Sequence, residues 1–175
     1  MADIINATQW TSVDHVGISE ALSQARKSYN EGGIPIGCSL ISADGTVLGK
    51  GHNQRIQKSS PTLHAEIAAV EDAGRLKAST YRDCTIRVFG MDMITVFFSP
   101  FATCSPCSMC TGAILLYKIP RVVIGENKNF SMGGEDLLRQ HGVKVVILDD
   151  PACTALMAQF IREKPEEWNE DIGEV

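Results

Sequence analysis

No stretch of this 175-residue chain approaches the run of about eighteen apolar residues that crosses a bilayer, so no membrane-spanning helix is expected. An excess of positive charge is missing too: 16 Lys and Arg stand against 21 Asp and Glu, a formal charge of −5. The basic residues are scattered, so a surface that grips tRNA or DNA is not expected. The first residues, Met1-Ala2-Asp3-Ile4-Ile5, lack the basic start and apolar core of an export signal. Without export, Cys38, Cys84, Cys104, Cys107, Cys110 and Cys153 should stay mostly reduced, which disfavours a disulfide framework. The cytoplasm is the expected compartment, with diffusion into the nucleus left open. Internal repeats and low-complexity linkers are also lacking. What remains is an ordinary globular composition, 44% hydrophobic and 21% charged, enough for one domain over residues 1–175 with a substantial core. The expected partner is a small neutral molecule, not a nucleic acid or a membrane.

Periodicity then orders the chain. Ile18, Ala21, Leu22, Ala25 and Tyr29 recur at helical spacing, and Gly32-Gly33 ends that helix. Pro35 opens a strand at 36–41, and Ala43-Asp44-Gly45 turns it into a second at 46–52, forming a hairpin. A polar loop at 53–62 leads to a helix over 64–76 with Ala65, Ala68, Ala69 and Ala73 as small packing residues. After Tyr81 comes β-rich sequence that ends at Pro106-Cys107, and 107–117 reads as a buried helix. Residues 121–125 and 143–148 are apolar without alternation, as expected for strands covered on both faces, and a short helix over 133–141 joins them. A last helix fills 151–164, and an acidic tail runs over 166–175. Strands interleaved with helices predict an α/β chain, a layered α/β/α domain.

Against this order two short motifs carry chemistry. His64-Ala65-Glu66 and Ser105-Pro106-Cys107-Ser108-Met109-Cys110 together supply one imidazole, two sulfurs and a carboxylate. Three protein donors leave the fourth vertex of a tetrahedral zinc to water, whereas a structural site normally closes all four. Cys107 and Cys110 share a face on the first turn of their helix, where the positive end of the helix dipole favours thiolate. His64 begins the other helix in the same way, and Glu66 can reach the open vertex without being a ligand. H-x-E followed by P-C-x-x-C is the signature of zinc enzymes that deaminate nucleobases. Zinc lowers the pKa of its water to roughly 7, which provides hydroxide for attack on C4 of a cytosine. Glu66 is the candidate to shuttle protons to N3 and to the departing amino group.

Each half by itself says less. Cysteines three apart also occur as buried thiols or as half of a closed zinc site, with His52 or His141 as further donors. A lone H-x-E arises often by chance. His15, His52 and His141 read as surface or hydrogen-bonding residues, and Cys38, Cys84 and Cys153 as packing residues.

With these residues placed, the sequence resembles the fungal cytosine deaminases, within the zinc-dependent cytidine/deoxycytidylate deaminase superfamily, over nearly its full length. The stretches that carry the resemblance are Glu31-Gly32-Gly33-Ile34-Pro35-Ile36-Gly37, Val47-Leu48-Gly49-Lys50-Gly51-His52-Asn53 and Thr62-Leu63-His64-Ala65-Glu66. They continue in Cys107-Ser108-Met109-Cys110-Thr111-Gly112-Ala113-Ile114, Val123-Ile124-Gly125-Glu126-Asn127 and Glu170-Asp171-Ile172-Gly173-Glu174. The metal motif specifies the superfamily, and the tail and Gly125-Glu126-Asn127 narrow it to the free-base enzymes.

The resemblance implies a homodimer of three-layer α/β/α domains around a five-stranded mixed sheet, with one zinc (Zn2+) per subunit. It implies hydrolysis of cytosine to uracil and ammonia in pyrimidine salvage, with some tolerance of 5-substituted cytosines. Carried over residue by residue, His64, Cys107 and Cys110 bind zinc and Glu66 shuttles protons. Asn53, Asp171 and the backbone N–H groups of Ala65 and Cys107 would contact the base, and Phe130 and Trp168 would close over it. Two other readings stay open at this point. One is a deaminase of another base, a free purine or an adenosine in tRNA. The other is an inactive, zinc-stabilised relative.

The second alternative arises from an unusual insert at residues 87–100, Arg87-Val88-Phe89-Gly90-Met91-Asp92-Met93-Ile94-Thr95-Val96-Phe97-Phe98-Ser99-Pro100. With it removed, Cys84-Thr85-Ile86 runs straight into Phe101-Ala102-Thr103-Cys104-Ser105-Pro106-Cys107, which resembles the family's strand without a gap. The segment is apolar and β-prone, unlike a solvated loop, and is expected to interrupt a central strand. An unspliced intron or misplaced exon boundary would produce it. The competing reading is a genuine extension in which Val96-Phe97-Phe98 takes over the strand.

Overall fold

The computed structural model describes residues 3–4, 12–90, 105–128 and 133–174. Among them, β1 (Asp3–Ile4), β2 (Ile36–Ser42), β3 (Val47–His52), β4 (Cys84–Gly90), β5 (Arg121–Ile124) and β6 (Lys144–Ile147) form one sheet. The helices are α1 (Ser12–Asn30), α2 (Arg55–Lys58), α3 (Ala65–Ala73), α4 (Ala78–Arg82), α5 (Ser108–Tyr117), α6 (Gly134–Gln140), α7 (Pro151–Glu163) and α8 (Pro165–Ile172). The strand order is β1-β6-β5-β4-β2-β3. β2 runs antiparallel to both β3 and β4, and the β4-β5-β6-β1 half is parallel. The five strands expected are present, and the two-residue β1 adds a sixth at the edge beside β6.

Alternation along the strands sorts the core into two faces. Ile86, Val88, Val122, Ile124, Val145 and Ile147 pack with Ala65 and Ala69 of α3, Ile114 of α5 and Leu138 of α6. Their sequence neighbours Phe89, Val123 and Val146 pack on the opposite side with Ile18 and Ala21 of α1 and Cys153 of α7. The layered α/β/α sandwich follows, because the central strands β2, β4 and β5 bury both of their faces. On the first face α3 lies directly against β3. An ideal Cβ on Gly51 would stand 2.6 Å from Ala68 Cβ, so the helix carrying the site sits as close as a bare backbone permits. Gly74, at φ +68°, stops α3 short of the expected residue 76.

Two expectations are corrected. The acidic tail is helix α8: Pro165 stands in its first turn, Glu166 and Glu167 face the positive end of its dipole, and left-handed Gly173 caps it. Charge content concealed a helix whose Trp168 is buried in the main core. The second correction concerns the insert. β4 is not interrupted at Ile86: Arg87, Val88, Phe89 and Gly90 continue it, opposite Ser39, Cys38, Gly37 and Ile36 of β2. The strand position thought open to Val96-Phe97-Phe98 is thus held by Arg87–Gly90, and residues 91–104 lie outside the described ones.

That continuation places a guanidinium in the core. Arg87 is fully buried; its Nη2 donates to Asp14 Oδ1 at 2.8 Å, while Nε and Nη1 have no hydrogen-bond partner among the described residues. Arg121 Nη1 reaches the same Asp14 oxygen at 2.6 Å. Burial pulls the Arg87 pKa down, against the pull of Asp14. The side chain fits only because the facing residue of α1 is glycine; a Cβ on Gly17 would meet Arg87 Cδ at 2.2 Å.

Candidate active site

The starts of α3 and α5 come together on the first face of the sheet. His64 and Cys107 are their N-caps, both with extended backbone, and neither side chain is spent on a capping hydrogen bond. Cys110 lies one turn into α5, fully buried. One ligand atom from each of His64, Cys107 and Cys110 falls within 4.8 Å of the others. Cys107 Sγ is 3.7 Å from His64 Nδ1. A tetrahedral zinc with bonds of about 2.3 Å to sulfur and about 2.0 Å to nitrogen holds such atoms about 3.6 Å apart, so the donors present fit zinc. Among the described residues no fourth His, Cys, Asp or Glu joins the cluster. His52 is elsewhere, bonded to Gln24 and Glu31, and exposed His141 bonds Leu137 O of its own helix, so neither closes the site.

Taken on their own, these groups divide charge unevenly. The hydrogen bond from Cys110, helped by His64 and opposed by burial, lowers the Cys107 pKa to about 4. Its partner Cys110 is pushed far up by that same bond, by burial and by Glu66. Burial opposes protonation of His64, yet Cys107, Glu66 and Asp171 outweigh it and raise the imidazole to about 8. Two sulfurs this close both ionise only with a cation between them, which is the charge a metal brings. Glu66, in the first turn of α3, is buried, and burial raises its pKa, with Cys107 adding to the shift and His64 opposing it.

A cavity of about 330 Å³ opens in front of this cluster, lined by His64, Glu66, Cys107, Ile36 and Val88 on the sheet side. Trp168, Glu170, Asp171 and Ile172 of α8 form its other wall, so the segment first read as a tail closes the pocket. Ser105 is also on the wall, with its Oγ buried and without a hydrogen-bond partner among the described residues, as in a pocket that receives a polar ligand. The Asp171 side chain is 4% exposed, and its Oδ1 stands 3.9 Å from His64 Nε2. At that distance the carboxylate acts on the imidazole as a nearby charge and not through a hydrogen bond.

Not every expected residue stands on the wall. Asn53 is buried behind Asp171: its Nδ2 donates to Asp171 Oδ1 at 3.1 Å, and its Oδ1 accepts from the Arg55 N–H at 3.1 Å. Ala65 is fully buried between His64 and Glu66 and does not line the cavity. Phe130 lies outside the described residues. Arg55, Ile36, Val88 and Met109 line the cavity although none of them was expected as a site residue. Their signal is register and packing, which a short motif does not carry.

With the geometry in hand, comparison with known proteins is informative. Residues 11–126 match the cytidine and deoxycytidylate deaminase zinc-binding region. Cytosine deaminase of Candida albicans is 58% identical over 161 residues, covering 92% of this chain and 97% of that protein. A tRNA-specific adenosine deaminase of Streptococcus pyogenes is 34% identical over 158 residues, covering 83% of this chain and 88% of the other. The fold is also that of guanine deaminase from Nitrosomonas europaea, with a TM-score of 0.61 at 18% identity over 86% of this chain and 84% of that one. The histidine and cysteine cluster at paired helix starts is thus set in a matching sequence frame, and the chain belongs to the cytidine and deoxycytidylate deaminase family defined by that zinc-binding region.

Proposed function

We propose that this chain, as one deaminase-type domain, hydrolyses free cytosine to uracil and ammonia in pyrimidine salvage. The observation that carries this is one cavity where Glu66 and the His64 and Cys107 donors face Trp168 and Asp171. The 58% identity to a cytosine deaminase supports the choice of base. His64, Cys107 and Cys110 would hold the zinc, one per subunit. When bound there, zinc supplies Lewis acidity and a water acidified to near neutrality.

The rest falls to the side chains. The Glu66 carboxyl, its pKa raised by burial, accepts a proton from water and passes it to N3, then serves the departing amino group. One water and one cytosine give one uracil and one ammonia, and the carboxyl returns to its starting state. Asp171 accepts from a ring N–H, since a carboxylate offers only acceptors. Trp168 covers one edge of the ring and excludes water, with Phe130 as the second aromatic; the Ala65 and Cys107 N–H groups complete the contacts, and Asn53 supports them from behind Asp171. The pocket would tolerate a small 5-substituent.

Homodimerisation is part of the proposal. Leu116, 73% exposed, and Tyr117 on α5, with Leu137 on α6, provide apolar surface for a second copy to cover. The enzyme would work in the cytoplasm, with access to the nucleus. We also propose that residues 87–100 are surplus to the working enzyme, an unspliced intron or misplaced exon boundary. A message encoding them in the abundant transcript would end that idea.

The 34% identity to a tRNA adenosine deaminase keeps a second base in view, although the acidic balance and the α8 wall disfavour a polymer. Assaying cytosine, cytidine, adenine, guanine and tRNA side by side separates these readings. Turnover of any other substrate in place of cytosine overturns the first. Glu66→Gln should lower turnover by about 10²–10⁴-fold while zinc stays bound. Unchanged ammonia release in that variant defeats the shuttle, and its absence from the start supports the inactive relative.

A further inference from the structure

We infer that Arg55 is the positioning residue that aims Asp171 at the base, a reading that rests on Asp171 as the acceptor for the ring N–H. Arg55 begins α2, directly after the loop that carries Asn53, and approaches the C-terminal end of α8. Its Nη1 donates to Asp171 Oδ1 at 2.9 Å and to the Glu170 carbonyl at 3.0 Å. That carbonyl is among the last four of α8, where the dipole attracts cations, and it also accepts from the capping Gly173 N–H at 3.3 Å. One guanidinium nitrogen therefore fixes both the end of the helix and the carboxylate it presents.

The arrangement is directional. Among the described residues every hydrogen bond to Asp171 ends on Oδ1, from Asn53 Nδ2 and from Arg55. Oδ2 is left to accept from a ligand. The Arg55 backbone N–H also holds Asn53 Oδ1 and so turns the Asn53 amide nitrogen toward the same carboxylate. Arg55 thus sets Asp171 twice, directly through its guanidinium and indirectly through Asn53.

It is also a partition. Arg55 lines the base cavity together with Asp171, and it lines a second cavity of about 390 Å³ bordered by Ser60, Pro61 and Glu167. Truncation would join the two and admit water behind the carboxylate. Lysine keeps the charge and much of the bulk but cannot donate as a planar fork.

The test measures kcat and KM for cytosine, zinc content and thermal midpoint for Arg55→Ala, Arg55→Gln, Arg55→Lys, Asp171→Asn and the Arg55→Ala/Asp171→Asn pair. Arg55→Ala is expected to raise KM by about 10- to 100-fold, more than it lowers kcat, with zinc content unchanged. Arg55→Lys should recover most of that loss. In the Asp171→Asn background, Arg55→Ala should add less than about threefold, because residues acting through one another are not additive. A KM for Arg55→Ala within about twofold of the unaltered enzyme, or a full penalty retained beside Asp171→Asn, overturns the inference. If Arg55→Ala does not fold, Arg55→Gln carries the same comparison. An unchanged KM in Asp171→Asn removes the base-binding role itself, and this inference with it. A raised KM there beside an unaffected Arg55→Ala sinks the inference alone.

Discussion

Deleting residues 87–100 removes a buried guanidinium from β4, and the residues at the end of that strand show what the exchange is worth. In the deletion variant Phe101, Ala102, Thr103 and Cys104 would follow Ile86 and take the registers of Arg87–Gly90, running directly into Ser105. Arg87 now buries Nε and Nη1 without partners among the described residues, at about 1–3 kcal/mol each. A phenylalanine in that slot removes both and adds about 1.5–3 kcal/mol of apolar burial. Against this, the bond to Asp14 is lost, and stripping a buried pair of one partner costs about 3–5 kcal/mol. Here the cost falls at or below the low end, because Arg121 still reaches Asp14 at 2.6 Å. The shorter connection also costs less closure entropy. The other exchanges oppose this, because Ala102 and Thr103 would stand where Val88 and Phe89 are buried, at about 3–5 kcal/mol for the phenylalanine and about 2 kcal/mol for the valine, so the terms nearly cancel. The matched control deletes 91–104, the same length, and leaves Arg87–Gly90 in the slot. Thermal unfolding by circular dichroism, zinc per chain by mass spectrometry and cytosine turnover by absorbance compare the two variants with the full chain. The 87–100 deletion should stay within about 2 kcal/mol of the full chain in stability and lead in zinc loading. If the 91–104 deletion equals or exceeds it in zinc loading, residues 101–104 are no better occupants of those registers than Arg87–Gly90 and the idea fails. Complete metal loading and family-like activity in the unaltered 175-residue chain would also count against it.

Two further predictions concern the frame around the site. Gly51→Val forces Ala68 from 2.6 Å toward ordinary contact at 3.4 Å, about 0.8 Å, pushing α3 off the sheet. The overpacking should cost about 1–3 kcal/mol in urea unfolding and weaken zinc retention against a chelator, since His64 and Glu66 ride on that helix; unchanged retention contradicts this. At the hairpin, hydrogen bonds from Ser42 and Thr46 lower the exposed Asp44 pKa from 3.8 to about 2. A depressed carboxylate stabilises the fold above its unfolded pKa and loses that contribution as pH falls through the folded one. Asp44→Asn should therefore flatten the stability change between pH 4 and pH 2, seen in acid titrations of unfolding; an identical acid limb refutes the assignment.

Much of the metal cluster was legible because its information is local. H-x-E and P-C-x-x-C each span one helical start, so spacing alone predicts a shared face, and the N-cap geometry of His64 and Cys107 agrees. The hairpin, the apolar strands and the α/β/α layering were legible for the same reason, since periodicity reports burial residue by residue. α8 was less so. Its charge suggested a solvated tail, although Pro165 and Gly173 are helix boundary signals, and the burial of Trp168 depends on where α7 delivers the chain.

The sequence by itself determined the donor set, its order and the layered class, because short-range spacing and turn chemistry act within a few residues. Only the tertiary structure decided the rest. It made Arg87–Gly90 the continuation of β4, it folded α8 over the cavity, and it joined Arg55 to Asp171 across 116 positions of chain. Those choices depend on strand register and on which buried side chains find partners, and such long-range pairings leave no period in the sequence for a reader to detect.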